Sequence, residues 1–288
     1  MEAQTTDQHE VRQRLHAMWA SVATGWGEHA DYVDQRGEAV TGKLLEIAAP
    51  SPGDRVLELA CGPGGLGLAA AERVRPGGEV VLSDVAPEMT AIAAERAGAK
   101  ALANVTTAVL DIEQIDQPDA SYDIVLCREG LMFALDPRQA AREIRRVLRS
   151  GGRAAIAVWG PRERNPWLGS VLDSVSAQIG APVPPPGMPG PFALGDAAGF
   201  EAVLSDAGLQ DVSVGELPVP LRVASFDEWW TRTTALAGPL SRMLEALPAD
   251  ATAELRERAQ QAAKPYETPD GLDFPGVTLV AAGRAARG

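Results

Sequence analysis

Short apolar runs alternate with amphipathic stretches along most of this chain, and the alternation predicts its elements. Val11, Leu15, Met18, Trp19 and Val22 follow the polar residues 1–8 at spacings of three and four, which puts one apolar stripe on a helix. Residues 25–32, Gly-Trp-Gly-Glu-His-Ala-Asp-Tyr, end that helix and are too rich in aromatic and titratable side chains for an ordinary connector. A second helix carries Val40, Leu44, Leu45 and Ile47 on one face and closes at Pro50-Ser-Pro-Gly53.

From Arg55 the rhythm is regular. Val56, Leu57 and Leu59 form a strand that breaks into glycines, and Leu66, Ala69, Ala70 and Val74 then take helical spacing. Strands are expected at 79–84, 105–110, 122–127 and 153–159, and helices at 87–97 and 137–149, the latter stopped by Ser150-Gly-Gly152. Strands alternating with helices imply a doubly wound, mostly parallel α/β sheet whose ligands bind at the carboxyl ends of the strands. After Trp159 the pattern loosens. Residues 161–195 contain the run Pro182-Val-Pro-Pro-Pro-Gly-Met-Pro-Gly-Pro191, read as a long loop, since proline fits neither a helix interior nor a central strand. A helix at 196–207, strand at 212–214 and 219–223, helical structure over 226–263 broken at Gly238-Pro239 and Pro248, and a last strand at 276–282 complete the chain.

Composition narrows the possibilities. A chain of 288 residues that is 45% hydrophobic can bury a full core, and a formal charge of −13 argues against nucleic acid and anionic membrane as partners. Cys61 and Cys127, each at a predicted strand end, form no disulfide framework, and three histidines give no metal-ligand spacing. No signal peptide and no apolar run of membrane-spanning length is present, so a soluble, cytoplasmic protein is expected.

The chemistry gathers around Arg55-Val-Leu-Glu-Leu-Ala-Cys-Gly-Pro-Gly-Gly-Leu-Gly67. Strand, glycine turn and helix N-terminus let backbone approach a ligand closely. Gly62, Gly64 and Gly67 satisfy Gly-x-Gly-x-x-Gly, but Glu58, expected to point into the crevice, would repel a pyrophosphate and attract a cation. S-adenosylmethionine (SAM) carries an ammonium and a sulfonium and no phosphate, and suits such a crevice better than NAD. Asp84 ends the second strand 20 residues after Gly64, where a carboxylate accepts from ribose hydroxyls or caps the next helix. Met89 in that helix packs against an adenine or fills core. Glu58, Asp84 and Asp111 stand at three successive strand ends.

Glu58-x-Ala60-x-Gly62-x-Gly64 resembles the first motif of class I SAM-dependent methyltransferases, with Ala60 where many members have glycine. Tyr122-Asp-Ile-Val-Leu-Cys127, Arg146-Val-Leu-Arg-Ser-Gly-Gly152 and the strand ending at Trp159 resemble that family's later motifs, in the broad group related to ubiquinone and menaquinone biosynthesis enzymes. Cys127-Arg-Glu-Gly-Leu-Met-Phe133 and Arg164-Asn-Pro-Trp167 are similar to a bacterial subgroup of uncertain substrate. The resemblance implies a seven-stranded Rossmann-like sheet and SAM held by Glu58, Ala60, Cys61, Gly62, Gly64, Asp84, Val85, Met89, Asp111, Ile112, Cys127 and Arg128. In it Asp111 accepts from the adenine amino group, with Leu110 and Ile112 flanking the ring. The implied plan is an N-terminal helical lid (1–35), a SAM-binding core (36–160), a Pro-rich lid loop (161–195), core continued (196–223), a helical cap (224–273) and a last core strand with tail (274–288). In the quinone C-methylating members a polar pair lies at the acceptor ring; Met132 and Phe133 stand at the matching positions here and cannot orient or deprotonate a phenol.

The implied activity is methyl transfer to a small hydrophobic or aromatic acceptor at O, N or C. Such a displacement gains from alignment and desolvation, and needs a base only if the acceptor must lose a proton. Candidate bases are His29, Tyr32 and Glu129, with His16 a weaker one; Glu129 alternatively pairs with Arg128 in a positional role. Trp19, Trp26, Met132, Phe133 and Trp167 are candidates for the acceptor cavity. Two other readings stay open: a methyltransferase fold that binds SAM and catalyses another step such as cyclisation, and an NAD-dependent oxidoreductase. Acceptor, methylated atom and oligomeric state are not specified by the sequence.

Overall fold

In the computed structural model seven strands form one sheet in the order β3-β2-β1-β4-β5-β10-β6. The structure describes residues 2–238, 240–241, 244 and 247–287, with side chains from Glu10 onward. Three helices, α1 (Glu2–Glu28), α2 (Ala30–Arg36) and α3 (Glu38–Ala48), precede β1 (Arg55–Leu59). There follow α4 (Gly65–Arg73), β2 (Glu79–Asp84), α5 (Pro87–Ala99), β3 (Val105–Val109), β4 (Tyr122–Arg128), α6 (Pro137–Val147) and β5 (Leu148–Trp159). Then come α7 (Pro166–Ile179), α8 (Ala197–Asp206), β6 (Gln210–Pro218), β7 (Leu221–Val223), α9 (Phe226–Leu236), α10 (Ala249–Ala263), β8 (Glu267–Thr268), β9 (Gly271–Phe274) and β10 (Val277–Arg284).

The first five strands are parallel and β10 runs antiparallel between β5 and β6. Burial follows the pleat: Leu57, Val81, Val125 and Ile156 pack in one cluster with residues of α6 and α8, and Val56, Val80, Ile124 and Ala155 in another with residues of α3, α4 and α5. A central parallel strand is covered on both sides, which is why β1 and β4 read as nearly unbroken apolar runs. Helix starts are capped as their sequences suggest. Asp136 accepts from Gln139 N–H at 3.0 Å and Asp196 from Gly199 N–H at 2.7 Å. At α9 Ser225 accepts from Glu228 N–H while the Glu228 carboxylate accepts from Ala224 N–H.

Three expectations are corrected. The long loop of 161–195 contains α7, whose Trp167, Val171, Leu172 and Val175 are buried; prolines confine the loop to the stretch after Gly180. Residues 148–152 extend β5 instead of ending a helix, with a register shift against β4 between Tyr122 and Ile124. The strand expected at 219–223 does not continue the core: β7 pairs with β9 in a separate three-stranded sheet with β8, so the segment 224–273 is not wholly helical. The helical stretch over 226–263 is interrupted as expected, with α9 ending at Leu236 and α10 starting after Pro248; Pro239 of the first expected break lies outside the described residues. α7, α9, α10, β7 and β9 share one apolar cluster around Trp229, Leu255 and Phe274.

Candidate functional site

The turn after β1 is made of left-handed backbone: Ala60, Gly62 and Gly64 have φ of +50°, +51° and +85°. Glycine adopts this freely, while alanine at 60 does so at a cost of about 1–2 kcal/mol. A Cβ on Gly64 would lie 3.0 Å from Leu82 and 3.1 Å from Ala93, so the glycine lets α4 begin hard against β2 and α5. Cys61 N–H donates to the Ser83 carbonyl at 2.9 Å and ties the turn to β2.

Asp84 is buried at the end of β2. Its Oδ2 accepts from Gly62 N–H at 2.9 Å and its Oδ1 from Ala86 N–H at 3.1 Å. Burial raises its pKa, against the pull of the Ala86, Gly62 and Val85 N–H groups and of His16. Among the described residues no cation forms an ion pair with it. A buried carboxylate with lone pairs to spare and no cation suits neutral hydroxyl donors such as a ribose diol. The left-handed turn and this carboxylate therefore fit a SAM nucleoside.

Glu58 corrects its expectation. It is 1% exposed and its Oε2 accepts from Gly67 N–H at 2.8 Å, inside the first turn of α4. Burial pushes its carboxyl up to about 8, with Arg128 and the Gly67 N–H opposing. Its carboxyl is turned to the Gly67 N–H and anchors the turn, and burial weakens it as a fixed anion facing a ligand. The two thiols are also raised, chiefly by burial, that of Cys127 to about 12; they fill space and do not ionise.

Asp111 meets α1. Its Oδ2 lies 3.0 Å from Arg12 Nη1 and 3.4 Å from His16 Nε2, and its Oδ1 accepts from Glu113 N–H at 2.8 Å. Burial raises its pKa, but His16, the Glu113 N–H and Arg12 outweigh burial and leave it below the usual value. Arg12 also reaches Glu113 at 2.7 Å. Met89 packs with Val22 and Ala23 of α1 and with Ala86. Ile112 packs against the core and Val85 is partly buried beside Asp84.

Above the turn lies Trp26, with ring carbons 3.6 and 3.8 Å from the position of a Gly62 Cβ and its Nε1 donating to the Leu236 carbonyl at 3.0 Å. Trp26, Trp19, Phe133, Trp159 and Trp167 form a row of rings with successive centroid separations of 6.4, 4.9, 6.5 and 5.0 Å. Met132 does not join it: it is 1% exposed in the sheet core, its sulfur accepting from Trp159 N–H. Trp159, at the end of β5, links the row and was missed by sequence reasoning, because an aromatic at a strand end reads as core.

The candidate bases separate. The His29 side chain makes no hydrogen bond or ion pair with the described residues. Tyr32 lies under the Arg232 guanidinium, 4.1 Å from carbon to ring centroid. Glu129, with φ of +60°, accepts from Thr278 Oγ1 at 3.4 Å. Arg128 does not pair with Glu129: it donates to Thr41 Oγ1 at 2.7 Å and faces Asp34 at 3.6 Å, which draws α2 and α3 onto β4. Asp34 in turn accepts from Arg96, which donates to the Pro63 carbonyl at 2.8 Å.

Comparison with known proteins gives this geometry its family. A family model described as a methyltransferase domain matches residues 50–171. The chain is 32% identical over 182 residues to the ubiquinone/menaquinone biosynthesis C-methyltransferase of Ralstonia pickettii (strain 12J), covering 58% of this chain and 74% of that one. It belongs to the class I SAM-dependent methyltransferases of that type. The corresponding enzyme of Ectopseudomonas mendocina (strain ymp) is 35% identical over 133 residues, which span 46% of this methyltransferase and 52% of that relative. The fold is shared with the YcgJ protein of Bacillus subtilis, at a TM-score of 0.62 and 21% identity over 86% of this chain and 98% of that one. The strand order, with β10 antiparallel in its place beside β5, is the seven-stranded arrangement expected of the family. Among the described residues no helix is long and apolar enough to cross a membrane, and no cluster of metal-ligating side chains occurs.

Proposed function

We propose that this methyltransferase transfers a methyl group from SAM to a small acceptor with an apolar, aromatic body. The observation that carries the reading is the buried Asp84 carboxylate, without an ion pair among the described residues and fixed to the left-handed glycine turn. SAM, when bound, supplies an electrophilic methyl on its sulfonium. Asp84 would hold its ribose, the backbone of Ala60, Cys61, Gly62 and Gly64 its amino-acid end, and Asp111 with Ile112 its adenine. The ring row from Trp26 to Trp167 excludes water and offers flat apolar surface to an acceptor. Glu129, beside Thr278 at the end of β4, is the group best placed to take a proton from an acceptor hydroxyl. Met132 in the core and Phe133 in the ring row leave no polar pair there for a quinol, which argues against quinone ring methylation by that route.

In this reading α1 is a lid. Trp26 over Gly62 and Arg12 with His16 on Asp111 occupy the ground that a nucleoside needs, so α1 must shift when the cofactor enters. Calorimetric titration with SAM, S-adenosylhomocysteine and NAD tests the proposal. Micromolar binding of both sulfur nucleosides and none of NAD is expected. Asp84→Ala should weaken that binding by roughly 10- to 100-fold, the worth of hydrogen bonds to a charged group. Binding of NAD instead, or of none of the three, would overturn it.

A further inference from the structure

At the far end of the ring row stands a cation with no partner among the described residues. Arg36 is the last residue of α2, and its guanidinium carbon lies 3.7 Å from the ring centroid of Trp167. Its Nε is sealed from solvent without an acceptor, and the side chain makes no hydrogen bond or ion pair with any described residue. Burial works against its charge, while Glu129 and Tyr32 favour it. Yet no Glu129 oxygen comes within 4.0 Å of it. Asp34 and Arg55 also have a buried atom without a hydrogen bond, but both side chains form ion pairs.

The platform under Arg36 is rigid. Trp167 Nε1 donates to Asn165 Oδ1 at 3.2 Å, and the Trp167 carbonyl accepts from Trp229 Nε1 at 2.9 Å. Asn165 is itself clamped to both backbone groups of Val277. A guanidinium stacked on an indole keeps its N–H groups in plane, where they meet a planar anion as a fork. Leaving such donors unmade beside a buried ring costs free energy that an oxyanion at this place would recover.

We propose that Arg36 binds a carboxylate, or an equivalent planar oxyanion, on the methyl acceptor, whose apolar body lies along Trp159 and Phe133. The inference rests on the methyltransferase reading and adds the acceptor's class: an aromatic or otherwise unsaturated acid. Arg36 positions the acceptor and takes no part in bond making. Glu129, whose charge favours that of Arg36, opposes any anion bound beside it.

The experiment uses the full chain saturated with S-adenosylhomocysteine and compares calorimetric binding of 2-naphthoate with 2-naphthamide, two probes of one shape that differ in charge. Wild type should bind the acid roughly 10-fold or more tightly than the amide, as expected for hydrogen bonds to a charged group. Arg36→Met should abolish that preference, Arg36→Lys should keep part of it, and Glu129→Gln should strengthen acid binding by removing a repelling charge. Equal affinity for acid and amide, no detectable binding of the acid, or a preference that survives Arg36→Met overturns the proposal. If Arg36→Met does not fold, the wild-type comparison and Glu129→Gln still decide. Failure of wild type to bind S-adenosylhomocysteine would instead overturn the methyltransferase reading, a separate and visible outcome.

Discussion

Glu58 illustrates how a residue's surroundings change what its type suggests. In the chain it is an acid at a strand end; in the fold it is an almost fully buried carboxyl whose proton is retained up to about pH 8. Its folded pKa lies above the unfolded value of 4.5, so the native state binds more protons than the unfolded one between those values. Stability from this group is therefore lost as pH rises from about 4.5 to 8. Glu58→Gln should remove that loss, so the stability of the variant relative to wild type should grow with pH by up to about 1.4 kcal/mol per unit within the window. Urea denaturation at pH 5, 6, 7 and 8 measures it, and a difference independent of pH would show that burial does not hold the proton. Arg36 makes the complementary point: nothing in Asp-Gln-Arg-Gly marks it, and the signal that could have found it, the titratable and aromatic richness of residues 25–32, stops four positions short.

Among the helices, the glycines of α3 and α4 predict opposite outcomes for one substitution. Gly42, inside α3, has nothing within 4 Å of a Cβ, and Gly42→Ala should stabilise by about 0.5–1 kcal/mol through reduced unfolded-state freedom. Gly67, in the first turn of α4, would place a Cβ in overlap with the Leu82 side chain, with the Glu58 carboxylate only 2.5 Å away. Gly67→Ala should destabilise by about 1–3 kcal/mol, the usual range for overpacking. Denaturant midpoints of the two variants against wild type check both signs, and a neutral Gly67→Ala would mean that α4 can slide off β2. In α7 local periodicity and proline content compete: Leu168, Val171, Leu172 and Val175 hold helical spacing, and the prolines that break regular structure lie beyond the helix end at Ile179.

Taken together, the molecule is a sheet with a well-covered core, with α1 packed against Ala86 and Met89 and α7, α9 and α10 sharing a separate apolar cluster. If α1 is the lid, adding S-adenosylhomocysteine should change amide hydrogen exchange in α1, the glycine turn and residues 84–90, and leave the centres of β4 and β5 unchanged. Exchange in α1 that ignores the ligand would show that the nucleoside enters elsewhere. The alternation of apolar runs and the glycine turn were enough to establish a parallel α/β sheet and the edge where its ligand turn lies, because pleat, helix period and turn chemistry are local and leave their spacing in the chain. Tertiary structure alone decided that Glu58 is buried and turned to Gly67, that Asp111 is held by Arg12 and His16, that Met132 is core, and that Arg36 lies over Trp167 with no ion pair among the described residues. Each of those depends on which distant segment packs against a side chain, and burial and partner, more than residue type, determine charge and role.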